Sequence, residues 1–224
     1  MLYGSFENST ANIKKLKVTQ ENDKLLIKSA NANTSNSLIR IKIDDIENER
    51  CLDNKVVGLP VNSEFQDECL KRKNSSAGAY INACLGGGVD ARYDEILDLF
   101  NNVPKRIGSA RLVKDFLSKG DNIIFIAVTE KNDQGIITTT PINISYASQE
   151  LVKTARANNF LEISCPVFGS GHGGVVAIVA IRAMIDGVLG AFGEFGCNNM
   201  IVTIKVHNKA FSNIKDIKKA LGNE

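Results

Sequence analysis

Tryptophan is absent from this sequence of 224 residues, proline and histidine are scarce at 4 and 2 residues, and aromatic residues make up only 6%. With so few histidines, and with cysteines that form no C-x-x-C pair, no group of residues has the spacing of a metal site. The 5 cysteines are odd in number and mostly have apolar neighbours. They predict buried thiols in a reducing compartment such as the cytoplasm.

An excess of charge of one sign is also lacking. The 27 lysines and arginines and the 25 aspartates and glutamates leave a net charge of +2, and no block of like charges stands out. The composition therefore does not favour nucleic acid or an acidic membrane as a partner.

No hydrophobic run fits secretion or membrane insertion. Residues 1–8 have neither the basic start nor the apolar stretch of a signal peptide. The most apolar window, 175–192, contains Arg182 and Asp186 and is interrupted by Gly187 and Gly190, so it predicts a core helix. We expect a cytoplasmic protein, or the cytoplasmic part of a protein whose membrane anchor lies in a segment missing from this chain.

What the sequence does contain is a regular alternation of strand-like and helix-like patterns. Residues 38–46 alternate isoleucine with charged residues, as in a half-covered strand, and residues 56–61 are continuously apolar, as in a central strand. The apolar residues of 93–100 recur at helical spacing. Further strands are predicted at 123–128, 161–167 and 200–206, and further helices at 148–158, 174–192 and 211–221. The alternation predicts an α/β fold with a mostly parallel sheet and helices on both faces.

The pattern favours one main domain. A hairpin is predicted over residues 13–28, around the polar turn at 20–23, and a loop follows at 31–37. We expect residues 1–37 to form an N-terminal strand and hairpin extension packed on a domain that spans 38–224. In parallel sheets ligands bind beyond the carboxyl ends of the strands, so the polar loops there are the candidate sites.

The strongest local signal is a glycine-rich loop between a buried strand and a long helix. It consists of Phe168, Gly169, Ser170, Gly171, His172, Gly173 and Gly174. Clustered glycines let several backbone N–H groups turn toward one anion, and the following helix adds the positive end of its dipole. The loop predicts a diphosphate cradle, although a merely flexible turn is the simpler alternative. No Gly-Lys-Ser/Thr follows, which argues against ATP hydrolysis.

Two weaker signals lie at other predicted strand ends. Asp45 and Ile46 end the alternating strand, where a carboxylate can accept a hydrogen bond from an exocyclic amine such as adenine N6. Asn62 follows the central strand and suits a ribose, with Phe65 and Asp67 just beyond it. A solvated carboxylate and a turn-capping amide are the corresponding simpler interpretations.

Taken in order, these motifs resemble the macro-domain family, whose members bind ADP-ribose. The segments that carry the resemblance are Asp44-Asp45-Ile46, Leu59-Pro60-Val61-Asn62 and Gly169-Ser170-Gly171-His172-Gly173-Gly174. The resemblance covers about residues 38–222. It implies a three-layer α/β/α fold with a mixed, mostly parallel central sheet. It also implies a ligand that is ADP-ribose or an ADP-ribose conjugate, with no further cofactor.

The resemblance assigns a role to individual residues. Asp45 would accept from the adenine amine and Ile46 would border the base, while Asn62 would face the distal ribose. The loop from Gly169 to Val175 would wrap the diphosphate, and His172 within it could touch a ribose or a phosphate oxygen. His207 occupies the place where many members have an aromatic residue against adenine; a surface imidazole is the equal alternative.

Two alignments compete for the first binding loop of the family. In one, Ser76, Ala77, Gly78 and Ala79 pack against the diphosphate, within a longer pattern P-x-N-x-x-F-x-D-E-C…S-x-x-G-A-Y that begins at Pro60. This pattern resembles bacterial macro domains associated with Thoeris anti-phage defence. In the other alignment, residues 81–90 form the loop, as in macro domains that remove ADP-ribose from proteins. The first is favoured, because residues 81–90 have no comparable strand before them.

The sequence therefore favours a receptor for an NAD-derived nucleotide signal. Its functional partner would be a Toll/interleukin-receptor-domain enzyme, and it would act on an effector or through a homo-oligomer. Two alternatives stay open. One is an ADP-ribosyl hydrolase that uses Asn62 or Asp90 to place a water. The other is a scaffold that binds poly-ADP-ribose or RNA, against which the near-neutral charge counts.

Overall fold

The structure is a computed structural model that describes residues 17–28, 36–50, 53–65 and 70–222. Its strands are β1 (Lys17–Glu21), β2 (Lys24–Lys28), β3 (Leu38–Ile43), β4 (Lys55–Asn62), β5 (Ala110–Val113), β6 (Ile123–Lys131), β7 (Ile137–Thr138), β8 (Glu162–Pro166) and β9 (Ile201–Val206). Its α-helices are α1 (Ser76–Leu85), α2 (Tyr93–Asp98), α3 (Pro141–Ala157), α4 (Ala177–Phe195) and α5 (Ile214–Ala220).

The strands form one mixed sheet. Their order is β1-β2-β3-β9-β8-β4-β6-β5, and the short β7 pairs with β6 outside this path. The five strands from β3 to β6 in this order are mutually parallel, whereas β1, β2, β5 and β7 pair antiparallel. The prediction of a mostly parallel sheet is confirmed.

Two hydrophobic cores lie on opposite faces of the sheet, as strand β6 illustrates. Ile124 and Ile126 belong to the core under α3, α4 and α5, while Ile123 and Phe125 belong to the core under α1 and α2. All four side chains are fully buried. A strand covered on both faces is continuously apolar, which explains why the central strands were recognised from sequence.

The N-terminal hairpin extends this sheet. Strands β1 and β2 pair around a turn at Asn22 and Asp23, and β2 pairs with β3, so the predicted hairpin is confirmed over its described part. Leu25 and Ile27 of β2 are buried in the core beneath α5. Of the proposed extension 1–37, residues 1–16 and 29–35 lie outside the described residues.

Several helix boundaries differ from the sequence prediction. Helix α3 begins at Pro141 instead of residue 148, because Thr140 caps its N-terminus by accepting from the Asn143 N–H and proline suits the first helical position. Helix α4 begins at Ala177, three residues later than predicted, because the glycine loop continues to Val176. Phe211 lies before α5 and is only partly buried against the core.

Helix α4 is a core helix, as its sequence predicted. Ile181, Ile185 and Val188 on one face are buried, and Gly187 lies against α3. Within the described part of the chain, no helix is both long and apolar enough to span a membrane.

The described cysteines are free thiols. Cys165 and Cys197 are buried and Cys84 is half-buried, whereas Cys51 and Cys69 lie outside the described residues. Burial raises the pKa of Cys165 to about 12, and burial together with the charge of Asp121 raises the pKa of Cys84 to about 12. These two thiols are therefore protonated at neutral pH.

Candidate functional site

The residues singled out from sequence lie along one edge of the sheet. Asp45 follows β3, His207 follows β9, the glycine loop follows β8 and Asn62 ends β4. These four strands are neighbours in that order, and their carboxyl ends meet at the same edge. At about 4.8 Å between strands, the row is about 14 Å long. The sheet thus aligns motifs that are far apart in the sequence.

The glycine loop is closed by its own backbone. The Val175 N–H donates to the Gly169 carbonyl and the Gly174 N–H donates to the Gly171 carbonyl. Gly169 and Gly174 have φ values of 70° and 74°, in the left-handed region that favours glycine. A Cβ at Gly173 would lie 2.7 Å from the Gly169 oxygen. The loop therefore requires glycine for both conformation and space.

This closed loop leaves N–H donors unused. The N–H groups of Gly171, His172 and Gly173 donate no hydrogen bond within the described residues. All three residues line an open cavity, whose empty space together with the solvent at its mouth is about 600 Å³. Successive free N–H groups in a concave loop are a common geometry for anion binding, and anion binding by this loop stays a prediction.

The cavity lies between the glycine loop and the N-terminus of α1. Besides the loop residues Gly169, Gly171, His172 and Gly173, its lining comprises Pro60, Val61, Asn62, Asn74, Ser75, Ser76, Ala77, Thr129, Ile137 and Val167. Asn62 is 1% exposed, so the strand buries it at the cavity floor.

Helix α1 was missed by the sequence prediction. Ser75 caps it by accepting from the Gly78 N–H at 2.9 Å, which leaves the N–H groups of Ser76 and Ala77 without a partner in the described structure. A helix N-terminus carries partial positive charge, so the cavity has backbone donors on two sides.

Two segments of the sequence were candidates for the first binding loop, one around 76–79 and one at 81–90. The structure has residues 75–77, from the first of them, at the cavity. Residues 81–85 belong to the body of α1, where Ile81 is buried in the core. Asp90 follows the far end of this 10-residue helix, about 15 Å away at 1.5 Å per residue. Its side chain is 88% exposed and lies 3.5 Å from Lys71.

Some predicted site residues do not line this cavity. The side chains of Phe65 and Phe168 are buried in the two cores, and the tilted rings of Phe65 and Phe100 have centroids 5.2 Å apart. Only their backbones are left to contact a ligand. Five other predicted residues belong to the segments that line the cavity but do not line it themselves. They are Gly78, Ala79, Ser170, Gly174 and Val175. Asp67 lies outside the described residues.

The other end of the row is formed by Asp45 and His207. The Lys209 N–H donates to His207 Nδ1 at 3.1 Å, so a neutral ring carries its proton on Nε2, which lies 3.5 Å from Asp45 Oδ1. Ile46 begins a short 3-10 helix and is buried. The structure thus brings together the two side chains that the resemblance assigns to the adenine base.

Across the described residues, no cluster of histidine, cysteine or acidic side chains could hold a metal.

Solved structures with the same architecture are macrodomains. The Oceanobacillus iheyensis macrodomain with MES bound matches over 88% of this chain and 96% of its own, with a TM-score of 0.62 and 15% sequence identity. The chain has a macrodomain fold. The same Oceanobacillus protein with ADP matches with a TM-score of 0.57 at 15% identity, covering 88% of this chain and 96% of that one.

The fold also matches that of a second macrodomain structure. The Trypanosoma brucei macrodomain in complex with ADP-ribose covers 82% of this chain and 67% of its own, with a TM-score of 0.55 and 15% identity. No protein-family sequence model and no curated protein matches the chain.

Thr129 is a cavity residue that sequence reasoning missed within this macrodomain fold. A bulge shifts the register of β4 and β6, so that Val61 pairs with Ala127 but Asn62 pairs with Thr129. The skipped Val128 carbonyl accepts from Thr139 Oγ1 at 2.6 Å. Bulges re-aim side chains at the ends of strands, and this one brings Thr129 beside Asn62. A register shift between distant strands leaves no sequence pattern.

Asp44 lies next to Asp45, at one end of the row of candidate residues, and its pKa is lowered. Burial acts to raise its pKa, but hydrogen bonds from Lys205 and Asn48, the Lys205 charge and the Asp45 N–H outweigh burial and lower it to about 2. The folded-state pKa is thus below the ordinary value of 3.8, so ionised Asp44 stabilises the fold above about pH 4. That contribution is lost as the pH falls toward 2.

We expect Asp44→Asn to make the stability of the fold depend less on pH between about pH 4 and 2. The free energy of unfolding of the variant should be lower than that of wild type at pH 7 and should fall less between pH 4 and 2, as measured by urea denaturation. Asp133→Asn, in the exposed turn between β6 and β7, is the control. An unchanged pH profile in Asp44→Asn would contradict the assignment.

Proposed function

We propose that this chain binds an ADP-ribose-containing nucleotide and acts as its receptor. The observation that carries the proposal is the row of groups along the sheet edge. A carboxylate lies at one end, free N–H groups of Gly171, His172 and Gly173 lie in the middle, and Asn62 lies at the other end. That sequence of donors and acceptors is complementary to adenine, diphosphate and distal ribose. ADP and ADP-ribose in the two similar macrodomain structures support the same ligand.

Each part of the row has a proposed partner. Asp45 accepts from the adenine amine, with Ile46 and His207 beside the base. The loop N–H groups and the free N–H groups of Ser76 and Ala77 hold the diphosphate from two sides. Asn62, Thr129 and His172 face the distal ribose and whatever group is attached to it.

The chemistry of the cavity favours binding. Its described lining offers backbone N–H groups, amides, hydroxyls and one imidazole, which hold a ligand through hydrogen bonds. We propose that the receptor passes its signal to an effector or through a homo-oligomer. The sequence pattern from Pro60 to Tyr80 supports a role in Thoeris anti-phage defence, with a Toll/interleukin-receptor-domain enzyme producing the nucleotide.

Isothermal titration calorimetry with ADP-ribose tests the binding proposal. A charge-assisted hydrogen bond contributes about 1.5–3 kcal/mol, so Asp45→Ala should weaken binding about 10- to 100-fold. The control Asp23→Ala, in the exposed turn between β1 and β2, should bind like wild type. Absence of wild-type binding at about millimolar ADP-ribose, which corresponds to roughly −4 kcal/mol, would refute the proposal.

Incubation with an ADP-ribosylated protein separates a receptor from a hydrolase. We expect the modification to stay in place. Release of ADP-ribose by the wild-type chain, abolished in Asp90→Ala, would instead favour the hydrolase.

A further inference from the structure

Lys205 is buried within the protein. It lies on β9, its side chain is only 3% exposed, and its ammonium group contacts three oxygen atoms. Nζ is 3.0 Å from Asp44 Oδ2, 3.1 Å from Glu49 Oε1 and 3.2 Å from the backbone carbonyl oxygen of Asp45. Two of the three N–H donors of the ammonium group hydrogen-bond to Asp44 and Asp45, and Glu49 adds a second ion pair.

All three oxygens belong to one short segment, 44–49, which connects β3 to the residues that precede β4. The segment is fastened at further points. The Asp44 N–H donates to the Val206 carbonyl, and Asp44 Oδ1 accepts from the Asp45 N–H at 2.9 Å. Glu49 also accepts from the Ser164 hydroxyl on β8. The segment thus folds over Lys205 and is tied to two strands.

The sheet face beneath this segment is unusually polar. Thr203, Lys205 and Ser164 point to it and are all buried, while Val202 and Ile204 point to the opposite, apolar core. Apolar packing holds the segment mainly through Ile46, which is buried in the core under α1, so the other contacts of the segment with this face are polar. A buried ion pair is weak evidence for stability, and its best-attested use is to fix one arrangement over others.

The arrangement that Lys205 fixes includes the end of the row that is formed by Asp45 and His207 and is proposed to bind adenine. The contact to the Asp45 carbonyl holds the backbone of that residue directly. Lys205 also offsets the charges of Asp44 and Glu49, which would otherwise repel the Asp45 carboxylate. His207, just beyond the end of β9, lies beside Asp45, with its Nε2 3.5 Å from Asp45 Oδ1.

We propose that Lys205 is a positioning residue that sets the selectivity of this site for adenine by holding the Asp45 carboxylate in place. The inference rests on the proposed nucleotide-binding function. Adenine presents an amine to Asp45, whereas hypoxanthine presents an oxygen at the same position, which a carboxylate repels. The ratio of the two affinities therefore reports the placement of Asp45 and is insensitive to a general loss of stability.

The test compares ADP-ribose with its hypoxanthine analogue by calorimetry. We expect wild type to prefer adenine by about 10- to 100-fold, from the strength of one charge-assisted hydrogen bond. Lys205→Met keeps the aliphatic stem but removes the charge, and should reduce the preference to about threefold or less. The control is Lys55→Met, which removes a lysine paired with Glu162 at 3.2 Å at the opposite end of the sheet. It should keep the wild-type preference.

Glu49→Gln provides a second, milder variant in case Lys205→Met does not fold. It should reduce the adenine preference by a smaller factor, and it should add nothing further to Lys205→Met. A folded Lys205→Met or Glu49→Gln protein with the full wild-type preference would overturn the inference while leaving the proposed function intact. Failure of wild type to bind either nucleotide would instead overturn the proposed function, and this inference with it.

Discussion

Gly173→Ala is expected to weaken ADP-ribose binding about 100-fold or more while leaving the fold intact. The added Cβ would lie 2.7 Å from the Gly169 oxygen and 2.8 Å from Thr139 Cγ2, so the loop must open to accommodate it. Opening the loop turns the N–H groups of the cradle away from the diphosphate. Loss of two such hydrogen bonds to a charged group corresponds to about 3 kcal/mol or more.

The matched control for the loop variant is Gly193→Ala on α4. A Cβ there meets nothing within 4 Å, so binding should stay close to wild type, and stability should rise by up to about 1 kcal/mol because alanine favours a helix over glycine. Calorimetry measures the binding, and circular dichroism with thermal unfolding verifies the fold. A folded Gly173→Ala protein that binds within about threefold of wild type would show that the loop does not hold the phosphates.

Gly187→Ala is expected to produce the largest loss of stability among single-methyl additions. At Gly187, α4 lies so close to α3 that an added Cβ would be 2.1 Å from the Ser145 carbonyl oxygen and 3.0 Å from Ser148 Cβ. The nearest atom belongs to the backbone and cannot rotate away. The helices must separate, which should cost about 1–3 kcal/mol, the usual range for overpacking, or more.

Gly190→Ala, one turn further along the same helix, is the control for this effect. A Cβ there has open space, and alanine favours the helix by up to about 1 kcal/mol over glycine. Urea denaturation should therefore show opposite signs for the two variants. Equal stability of both would mean that the helices are less tightly packed at Gly187 than the structure indicates.

The parts of the fold that sequence predicted are those with strong hydrophobic periodicity. Strands β4 and β6 are continuously apolar because both their faces are covered, and β3 alternates because one face is polar. Helix α1 was missed because its buried face combines only two large side chains, Tyr80 and Ile81, with the small residues Ala77 and Gly78, which weaken the apolar pattern. Strand β5 has only 4 residues, too few for a period to emerge.

The site was predictable where it depends on local backbone chemistry. The glycine loop could be recognised because clustered glycines after a buried strand have few other uses. The placement of Thr129 depends on a register shift, and the burial of Lys205 depends on a covering segment about 160 residues earlier in the chain. In the sequence, Lys205 is a single charged residue within the predicted strand 200–206. Such long-range packing leaves no local pattern from which to infer it.

The row along the sheet edge draws its members from four strands that are separated by long stretches of sequence but adjacent in space. Any slippage of β9 against β3, or of β8 against β4, would move the residues proposed to contact adenine, phosphate and ribose out of line together. A nucleotide bound in the proposed way would therefore connect the four strands across the middle of the sheet. It would resist the separation of these strands, so occupancy of the site and cohesion of the central sheet become one cooperative property.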